Sequence, residues 1–169
     1  MTTLHPADTA IVGSATPVSW RIEPQGWFSR HFNLYQDERY ITTLQMQLWQ
    51  EGCDFTITGH DFSICKASFW KDAFQLFAGS ESVCDVKRSF WSRRFELVSA
   101  GHAWMLQPAG WISAVYQLVS DGRETGRIAR ASLWTRRRVA TFDHNVPPPI
   151  QVLAIFLVLI VGQRQNKSN

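Results

Sequence analysis

Short runs in which apolar and polar residues alternate recur along the chain from Val18 to Phe142, and a turn follows most of them. The runs pair as Asp54–Thr58 with Phe62–Phe69, Phe74–Phe77 with Val83–Trp91, Phe95–Val98 with Ala103–Leu106, and Val115–Val119 with Ile128–Trp134. Short alternating runs separated by glycine-containing turns are typical of a β-meander or a β-barrel. No helical period of apolar residues interrupts them, which disfavours βαβ units.

A tryptophan motif repeats within this part of the chain. The copies are Ser68-Phe69-Trp70, Ser89-Phe90-Trp91 and, more loosely, Ser132-Leu133-Trp134, and a polar three-residue turn and an apolar strand start follow each of them. We interpret the motif as a repeated hairpin corner. At this corner the Trp closes one strand, and the next strand begins on the same side.

The C-terminal segment has a different pattern. Asn145-Val146-Pro147-Pro148-Pro149 stops any strand, because proline cannot donate to a ladder, whereas the first turn of a helix tolerates proline well. Ile150 to Val161 is then apolar at every position except Gln151. These features predict a helix over about 149–162, with Gly162 as its C-terminal stop.

This helix is short for a membrane span. About 12–16 helical residues reach about 18–24 Å, whereas a bilayer core asks for about 20 apolar residues. Arg164 and Lys167 follow it and suit the negative end of a helix. A helix that is apolar on all sides must be enclosed, and a wide barrel has a lumen that its own side chains do not fill. We therefore predict a helix buried inside the barrel; the alternative is a tail anchor inserted after Pro149.

Three features near the C-terminus carry a resemblance to a known group of proteins. Gly126-Arg127-Ile128 is followed by the basic strand Arg136-Arg137-Arg138-Val139 and then by the helix from Pro149 to Val161 with its Arg tail. This order resembles the end of the tubby-like C-terminal domain superfamily, which includes tubby domains, phospholipid scramblases and plant LURP-one-related proteins. The resemblance covers about Phe28 to Arg164. It implies a closed, roughly 12-stranded antiparallel β-barrel around a central hydrophobic C-terminal α-helix.

The resemblance implies a fold but transfers no site residue. Tubby domains bind phosphoinositide headgroups through basic side chains on the barrel exterior, and scramblases are membrane-associated and Ca²⁺-responsive. This chain has neither a cysteine-rich leader nor an acidic calcium loop, and no tubby phosphoinositide motif matches it residue by residue.

The net charge of +3 conceals an asymmetry. Residues 1–85 carry five Lys/Arg against ten Asp/Glu, a net charge of −5, and residues 86–169 carry twelve against four, a net charge of +8. A basic half suits an anionic partner, such as a phospholipid or membrane surface. The alternative is that the charges are spread over solvated strand faces.

The cysteines and the N-terminal residues indicate the cellular compartment of the protein. Cys53, Cys65 and Cys84 are odd in number and show no CxxC spacing, which argues against a disulfide framework and suits a reducing compartment. Residues 1–17 show no secretory signal pattern and predict a flexible leader before a single domain at 18–169. We therefore expect a cytoplasmic protein, peripheral to a membrane.

Basic side chains provide the best candidate site. Three of them are consecutive, and the others precede or follow the second Trp motif; the set is Lys87, Arg88, Arg93, Arg94, Arg136, Arg137 and Arg138. Because a helix-filled barrel leaves little room for arginine, most should point outward, where converging guanidiniums suit a phosphate. Trp beside Arg also suits a membrane interface. The alternative is that these charges only solubilise hairpin tips.

Other chemistry is poorly supported by the sequence. The five histidines are scattered, with no metal-binding spacing, and no nucleophile elbow, P-loop or dinucleotide-binding motif occurs. We expect no catalysis, cofactor or metal. Nucleic acid is disfavoured as a partner because the basic residues form no long run.

These features predict a non-enzymatic binding module for a lipid or membrane surface, with anionic phospholipid headgroups as its ligand. The alternatives are a structural or protein-interaction domain without lipid affinity, and a tail-anchored membrane protein with a small cytosolic β-domain. The residues predicted to fill the barrel core from the helix are Ile150, Leu153, Ala154, Phe156, Leu157, Leu159 and Ile160.

Overall fold

The computed structural model describes residues 16–27, 29–47, 51–67, 73–89, 93–110, 114–132 and 135–166. They form one antiparallel sheet of 12 strands and one C-terminal helix, α1, from Pro148 to Asn166. The strands are β1 Val18–Pro24, β2 His31–Gln36, β3 Arg39–Gln45, β4 Cys53–Ile57, β5 His60–Lys66, β6 Ala73–Ala78, β7 Glu81–Arg88, β8 Phe95–Ser99, β9 His102–Pro108, β10 Tyr116–Ser120, β11 Arg123–Arg130 and β12 Arg138–Phe142. The predicted leader, residues 1–17, lies outside the described residues except for its last two.

The strands form a nearly closed barrel, which confirms the predicted fold class. Their order around the sheet is β3-β2-β1-β12-β11-β10-β9-β8-β7-β6-β5-β4, so β12 pairs with β1 and the sheet ends at β3 and β4. These end strands face each other across a seam, where the Thr56 amide donates to the Thr42 hydroxyl at 3.4 Å. A groove of about 700 Å³ lies along this seam, with Tyr40, Asp54 and Asp61 in its lining.

The strands form because alternate residues have an interior to fill. In β8, Phe95 and Leu97 are fully buried, whereas Glu96 and Val98 face solvent. The same alternation holds along β4 and β12. Since one face of each strand is apolar and the other polar, only one face can turn toward the core, which fixes the register of the sheet.

Helix α1 occupies the interior of the barrel. The residues predicted to fill the core from the helix, Ile150, Leu153, Ala154, Phe156, Leu157, Leu159 and Ile160, are all buried. By length and composition alone, Pro148–Gln165 could cross a membrane, but 67% of that segment is buried inside the protein. The prediction of a buried helix is therefore confirmed: the helix does not stand free of the barrel, as a tail anchor would.

Gln151, the polar exception in the apolar segment, is fully bonded inside the core. Its side-chain oxygen accepts a hydrogen bond from the Trp20 indole at 2.6 Å, and its amide nitrogen donates to the Val146 carbonyl at 2.7 Å. A buried polar group costs stability unless its hydrogen bonds are made. Gln151 thus ties the start of the helix to β1.

The end of the helix differs from the prediction. Gly162 does not stop α1, which continues to Asn166. Instead, Gly162 lies against Arg138, because a Cβ built at this glycine would lie 2.7 Å from Arg138 Nη2. The missing side chain therefore makes room for a guanidinium beside the last turns of the helix.

An ion-pair cluster fastens the C-terminal end of α1 to the barrel wall. Arg164 donates to both carboxylate oxygens of Glu51, at 2.9 and 2.6 Å, and Lys66 Nζ lies 2.6 Å from the same carboxylate. The hydrogen bonds from Arg164 are the main reason that the pKa of Glu51 is lowered from its ordinary value. Glu51 comes directly before β4, so the cluster joins the helix to the seam.

The two ends of the barrel are built differently. At one end, where α1 begins, most strands are joined by two-residue turns such as Asp37-Glu38 and Asp121-Gly122, whose positive φ angles suit tight hairpins. At the other end, where α1 finishes, the connections are longer. They are residues 25–30, 46–52, 67–72, 89–94, 109–115 and 131–137. We call the latter end the mouth and the former the far end.

Candidate functional site

Basic side chains are concentrated at the mouth. Strands alternate in direction, so each basic residue at a strand end or in a long connection can be assigned to one end of the barrel. Those assigned to the mouth are Arg30, Lys66, Lys87, Arg88, Arg93, Arg94, Arg130, Arg136, Arg137, Arg138 and Arg164. The two halves of the candidate patch, one around β7 and β8 and the other before β12, therefore lie at the same end.

Three of the described acidic side chains near the mouth, Glu23, Glu51 and Glu96, have basic neighbours, whereas Asp54 on β4 forms no ion pair with a described residue. Glu51 bonds Arg164 and Lys66, as described above. Glu23 accepts a hydrogen bond from Arg21 at 2.6 Å. Glu96 on β8 pairs in register with Lys87 on β7. Basic residues still outnumber these acids among the described residues, so the mouth is cationic.

The far end has the opposite charge. Acidic residues occupy its turns or the strand positions next to them: Asp37, Glu38, Asp61, Glu81, Asp121, Glu124 and Asp143. The basic residues at this end, among those described, are Arg39 and Arg123, and Arg123 pairs with Asp143 at 3.1 Å. Two mid-strand arginines also pair with acids of this end, Arg21 with Glu38 at 3.0 Å and Arg127 with Glu124 at 2.7 Å. Each half of the sequence contributes strands to both ends of the barrel, so this asymmetry between the ends is separate from the asymmetry between the halves.

Three of the four residues in the first half of the candidate patch face solvent. Lys87, Arg93 and Arg94 are exposed, and Arg88 is half-buried with its guanidinium carbon 5.9 Å from the centre of the Phe95 ring. They flank the connection between β7 and β8. Lys87, Arg93 and Arg94 lie at the hairpin tip or on the outer surface beside it, whereas Arg88 occupies an inward-facing position of β7 and pairs in register with the buried Phe95.

In the second half of the candidate patch, residues 136–138, strand β12 begins only at Arg138. Arg136 is half-buried and donates to the backbone carbonyls of Trp27 and Ser29, so it holds a neighbouring connection in place. Arg137 is exposed, and its Nε lies 3.7 Å from Glu23. The segment 136–138 was predicted to be strand, whereas Arg136 and Arg137 belong to the preceding connection.

Arg138 departs from the expectation of an outward-facing side chain. It is 8% exposed and begins β12, whose first, third and fifth residues are buried. Register places it beside the buried Ile22 of β1. Burial, with the nearby Arg130 charge as a smaller cause, lowers the pKa of Arg138 to about 10. The interior accommodates the guanidinium because Gly162 leaves space beside the helix.

Tyr116 lies among several of these cations. It is the first residue of β10, is 5% exposed, and its pKa is raised, mainly by burial. The positive charges of Arg93, Arg138 and Arg88 oppose that rise, in this order of strength. Arginines from both halves of the candidate patch therefore act on the same buried phenol at the mouth.

Trp27 adds an aromatic side chain to the mouth and is 76% exposed. By position in the sequence, each of the other long connections also contains one tryptophan: Trp49, Trp70, Trp91, Trp111 and Trp134. The side chains of these five lie outside the described residues, as does most of each predicted hairpin corner. The other two tryptophans, Trp20 and Trp104, are buried in the barrel.

The sequence alone missed Tyr116, Arg130 and Arg30 as residues of this end. A regular sequence feature points to the mouth: tryptophans recur at positions 27, 49, 70, 91, 111 and 134. An aromatic residue placed once in every second connection of a meander marks one end of the barrel. The prediction used only three of the six.

Groups suited to other chemistry are not gathered in the described part of the chain. No cluster of three or more His, Cys, Asp or Glu there could hold a metal ion. The three cysteines are free thiols, and burial raises the pKa of Cys84 to about 12.

Comparison of the chain with known proteins identified no relative. No protein-family model, no curated protein and no solved structure matches it.

Proposed function

We propose that this protein is a non-enzymatic module that binds anionic phospholipid surfaces through its mouth. The observation that carries the proposal is the separation of charge along the barrel axis, with basic residues at the mouth and acidic residues at the far end. An anionic surface attracts one end and repels the other, so it orients the barrel before contact.

The chemistry of the mouth supports a membrane as the anionic partner. Each Lys or Arg near an anionic leaflet contributes about 1 kcal/mol to binding. Tryptophan favours the interface between headgroups and acyl chains, and the exposed Trp27 lies at this end. The cytoplasmic leaflet carries the anionic lipids in a cell, and we propose that the protein attaches there peripherally.

We also propose that the chain is a divergent member of the tubby-like superfamily. Gly126-Arg127-Ile128, the basic residues before β12 and the apolar C-terminal helix support this assignment. A barrel built around that helix is the architecture that the resemblance implies. The membership concerns the fold, and the proposed binding surface rests on the charges described above.

Exposed apolar residues give less support to a protein-interaction domain. Apart from Trp27, the exposed large hydrophobic residues in the described part of the chain are Tyr40, Val98 and Val139. They lie on β3, β8 and β12, which are not neighbours in the sheet, so they do not form a shared patch.

Vesicle co-sedimentation with two charge-matched variants tests the proposed function. Wild type is expected to bind phosphatidylcholine vesicles that contain phosphatidylglycerol, and to leave them as salt is added. R93S/R94S, which removes two mouth charges, should bind about 10- to 30-fold more weakly. R39S/R123S removes two charges from the far end and should stay within about twofold of wild type. Equal weakening by both pairs, or binding to pure phosphatidylcholine, would contradict docking through the mouth.

A further inference from the structure

Arg138 is a charged side chain held inside the barrel, just within the mouth. It is 8% exposed, and its Nη2 lies where a side chain of Gly162 would begin. Its partners in register are Ile22 on β1 and Arg130 on β11. The guanidinium therefore lies between the barrel wall and the last turns of α1.

Among the described residues, no acidic side chain forms an ion pair with Arg138. The titratable groups that act on its charge are Arg130, which repels it, and Tyr116. An unpaired buried ion is costly. The negative end of a helix offsets only a part of such a cost. The electrostatics of this position thus favour an anion beside the guanidinium.

The surroundings of Arg138 suit an anion that enters from the mouth. Arg93 is exposed at the mouth, and its charge and that of Arg138 both act on the buried Tyr116. A tyrosine hydroxyl can donate to an oxyanion, and a guanidinium can bind one with two parallel N–H groups. Arg138, Tyr116 and the exposed Arg93 thus bring positive charge and a hydroxyl donor to this end of the barrel.

We propose that the mouth contains a binding site for a phosphate monoester, with Arg138 at its base, Tyr116 at its side and Arg93 at its entrance. A monoester carries about −1.5 to −2 charges at neutral pH, which matches several guanidiniums better than the single charge of a diester. It also ends in free oxygens, so it can reach an interior arginine that a diester, flanked by two ester chains, cannot approach as closely. The inference deepens the proposed function and rests on it for the route by which a lipid phosphate would arrive.

Inorganic phosphate is the first probe, added at constant ionic strength with chloride as the balancing anion. Wild type should bind it saturably in calorimetry and gain thermal stability. R138M removes the guanidinium but keeps the apolar stem, and it should lose saturable binding. R138K keeps the charge without the planar fork and should bind about tenfold more weakly. Saturable binding by R138M equal to that of wild type would overturn the site.

A second variant keeps the test valid if R138M does not fold. Y116F removes one hydroxyl and should weaken phosphate binding about 5- to 10-fold, the value of one hydrogen bond. The far-end variant R123M should bind as wild type does. No change in Y116F, or an equal loss in R123M, would mean that phosphate binds elsewhere.

Vesicles distinguish a lipid phosphate from a free one. Preference for phosphatidic acid over phosphatidylglycerol vesicles, lost in R138M, would identify a lipid headgroup as the ligand. Saturable phosphate binding without vesicle binding would keep the site and refute the proposed function. Salt-sensitive binding to both vesicles, without saturable phosphate binding, would keep the proposed function and refute the site.

Discussion

Two interior glycines let a neighbouring side chain occupy the space where their own would be. At Gly126 on β11, a Cβ would lie 2.3 Å from Cδ1 of the buried Phe142 ring. At Gly162 the neighbour is the Arg138 guanidinium, 2.7 Å away. Both contacts are closer than real Cβ atoms tolerate, so a neighbour would have to shift. At Gly162 that neighbour is the end of a flexible side chain, whereas at Gly126 it is a ring packed in the core, so the interior depends on glycine mainly at Gly126.

Replacement of Gly126 by alanine should destabilise the fold by about 1–3 kcal/mol, the usual cost of overpacking. The Phe142 ring has no solvent-filled space to move into, because it is 1% exposed. Urea denaturation of G126A measures the loss. G26A, whose Cβ would lie 3.8 Å from the nearest atom outside its immediate chain neighbours, is the control and should be near neutral. Comparable losses in both variants would contradict the packing argument.

At the residue scale, sequence reasoning identified the side chains but not all of their directions. Arg138 belongs to a basic triplet, and the period of two places Arg136 and Arg138 on one face only if both lie in a strand. The strand begins at Arg138, so the alternation of faces does not extend back to Arg136 and could not predict the direction of either side chain. Its inward direction depends on Gly162, which is distant in sequence and was predicted to end the helix.

At the element scale, the helix is held at both of its ends by side chains of the wall. Gln151 bonds Trp20 at the start, and Arg164 bonds Glu51 near the finish. The strands and the helix could be predicted from the sequence, because alternating apolar residues suit a strand with one buried face and a continuous apolar run suits a buried helix. The ion pair could not, since Glu51 and Arg164 are far apart in sequence and meet only after the barrel forms.

Substitution of Glu51 by glutamine should cost about 1–2 kcal/mol near neutral pH, because the charge that assists three hydrogen bonds, two from Arg164 and one from Lys66, is lost. The folded protein lowers the pKa of Glu51 below its ordinary value of 4.5. The carboxylate thus contributes stability above that pH, and the contribution is lost as pH falls through the lowered pKa. The difference between wild type and E51Q in urea denaturation should therefore shrink below about pH 4.5.

Glu124, which pairs with Arg127 on the surface, provides the comparison for this effect. An exposed pair contributes little, so E124Q should stay within about 0.5 kcal/mol of wild type at neutral pH. A constant difference between wild type and E51Q down to strongly acidic pH would show that the Glu51 ion pair is not the source.

Removal of residues 146–169 should abolish folding. A buried large apolar side chain contributes about 1.5–3 kcal/mol, and the net stability of a domain is about 5–15 kcal/mol. The helix supplies many such side chains, including Phe156 and Leu157. Loss of the β-sheet circular dichroism and of protease resistance would confirm this. Removal of only residues 167–169 is the control, and a soluble folded barrel after the larger truncation would contradict a core helix.

At the scale of the whole molecule, the barrel has a basic end and an acidic end. This polarity was not visible in the sequence, because each half of the sequence contributes residues to both ends. A charged residue can be assigned to one end of the barrel only when the direction of its strand is known. In a meander that direction follows from the number of strands that precede it. Only the tryptophan recurrence, complete from position 27 to position 134, marked one end directly.

Fractionation after lysis without detergent should find the protein either soluble or on membranes from which a salt wash releases it. Electrostatic attachment weakens with salt because the charges are screened beyond about 10 Å at 0.1 M. An alkaline wash should not be needed to release the protein, since 67% of Pro148–Gln165 is buried inside the barrel and is not available to lipid. Resistance to both washes would place that helix in lipid and contradict the fold.

The seam between β3 and β4 bears on how such a molecule can be assembled at all. A helix encircled by a covalently continuous wall would have to be threaded through it, a step that folding proteins avoid. Here the wall is an open ribbon whose free edges belong to two consecutive strands. Because residues 46–52 join those two strands, their edges stay close, and the step that closes the wall around the helix is the pairing of β1 with β12. These two strands are far apart in sequence, so their pairing is a non-local step that slows folding.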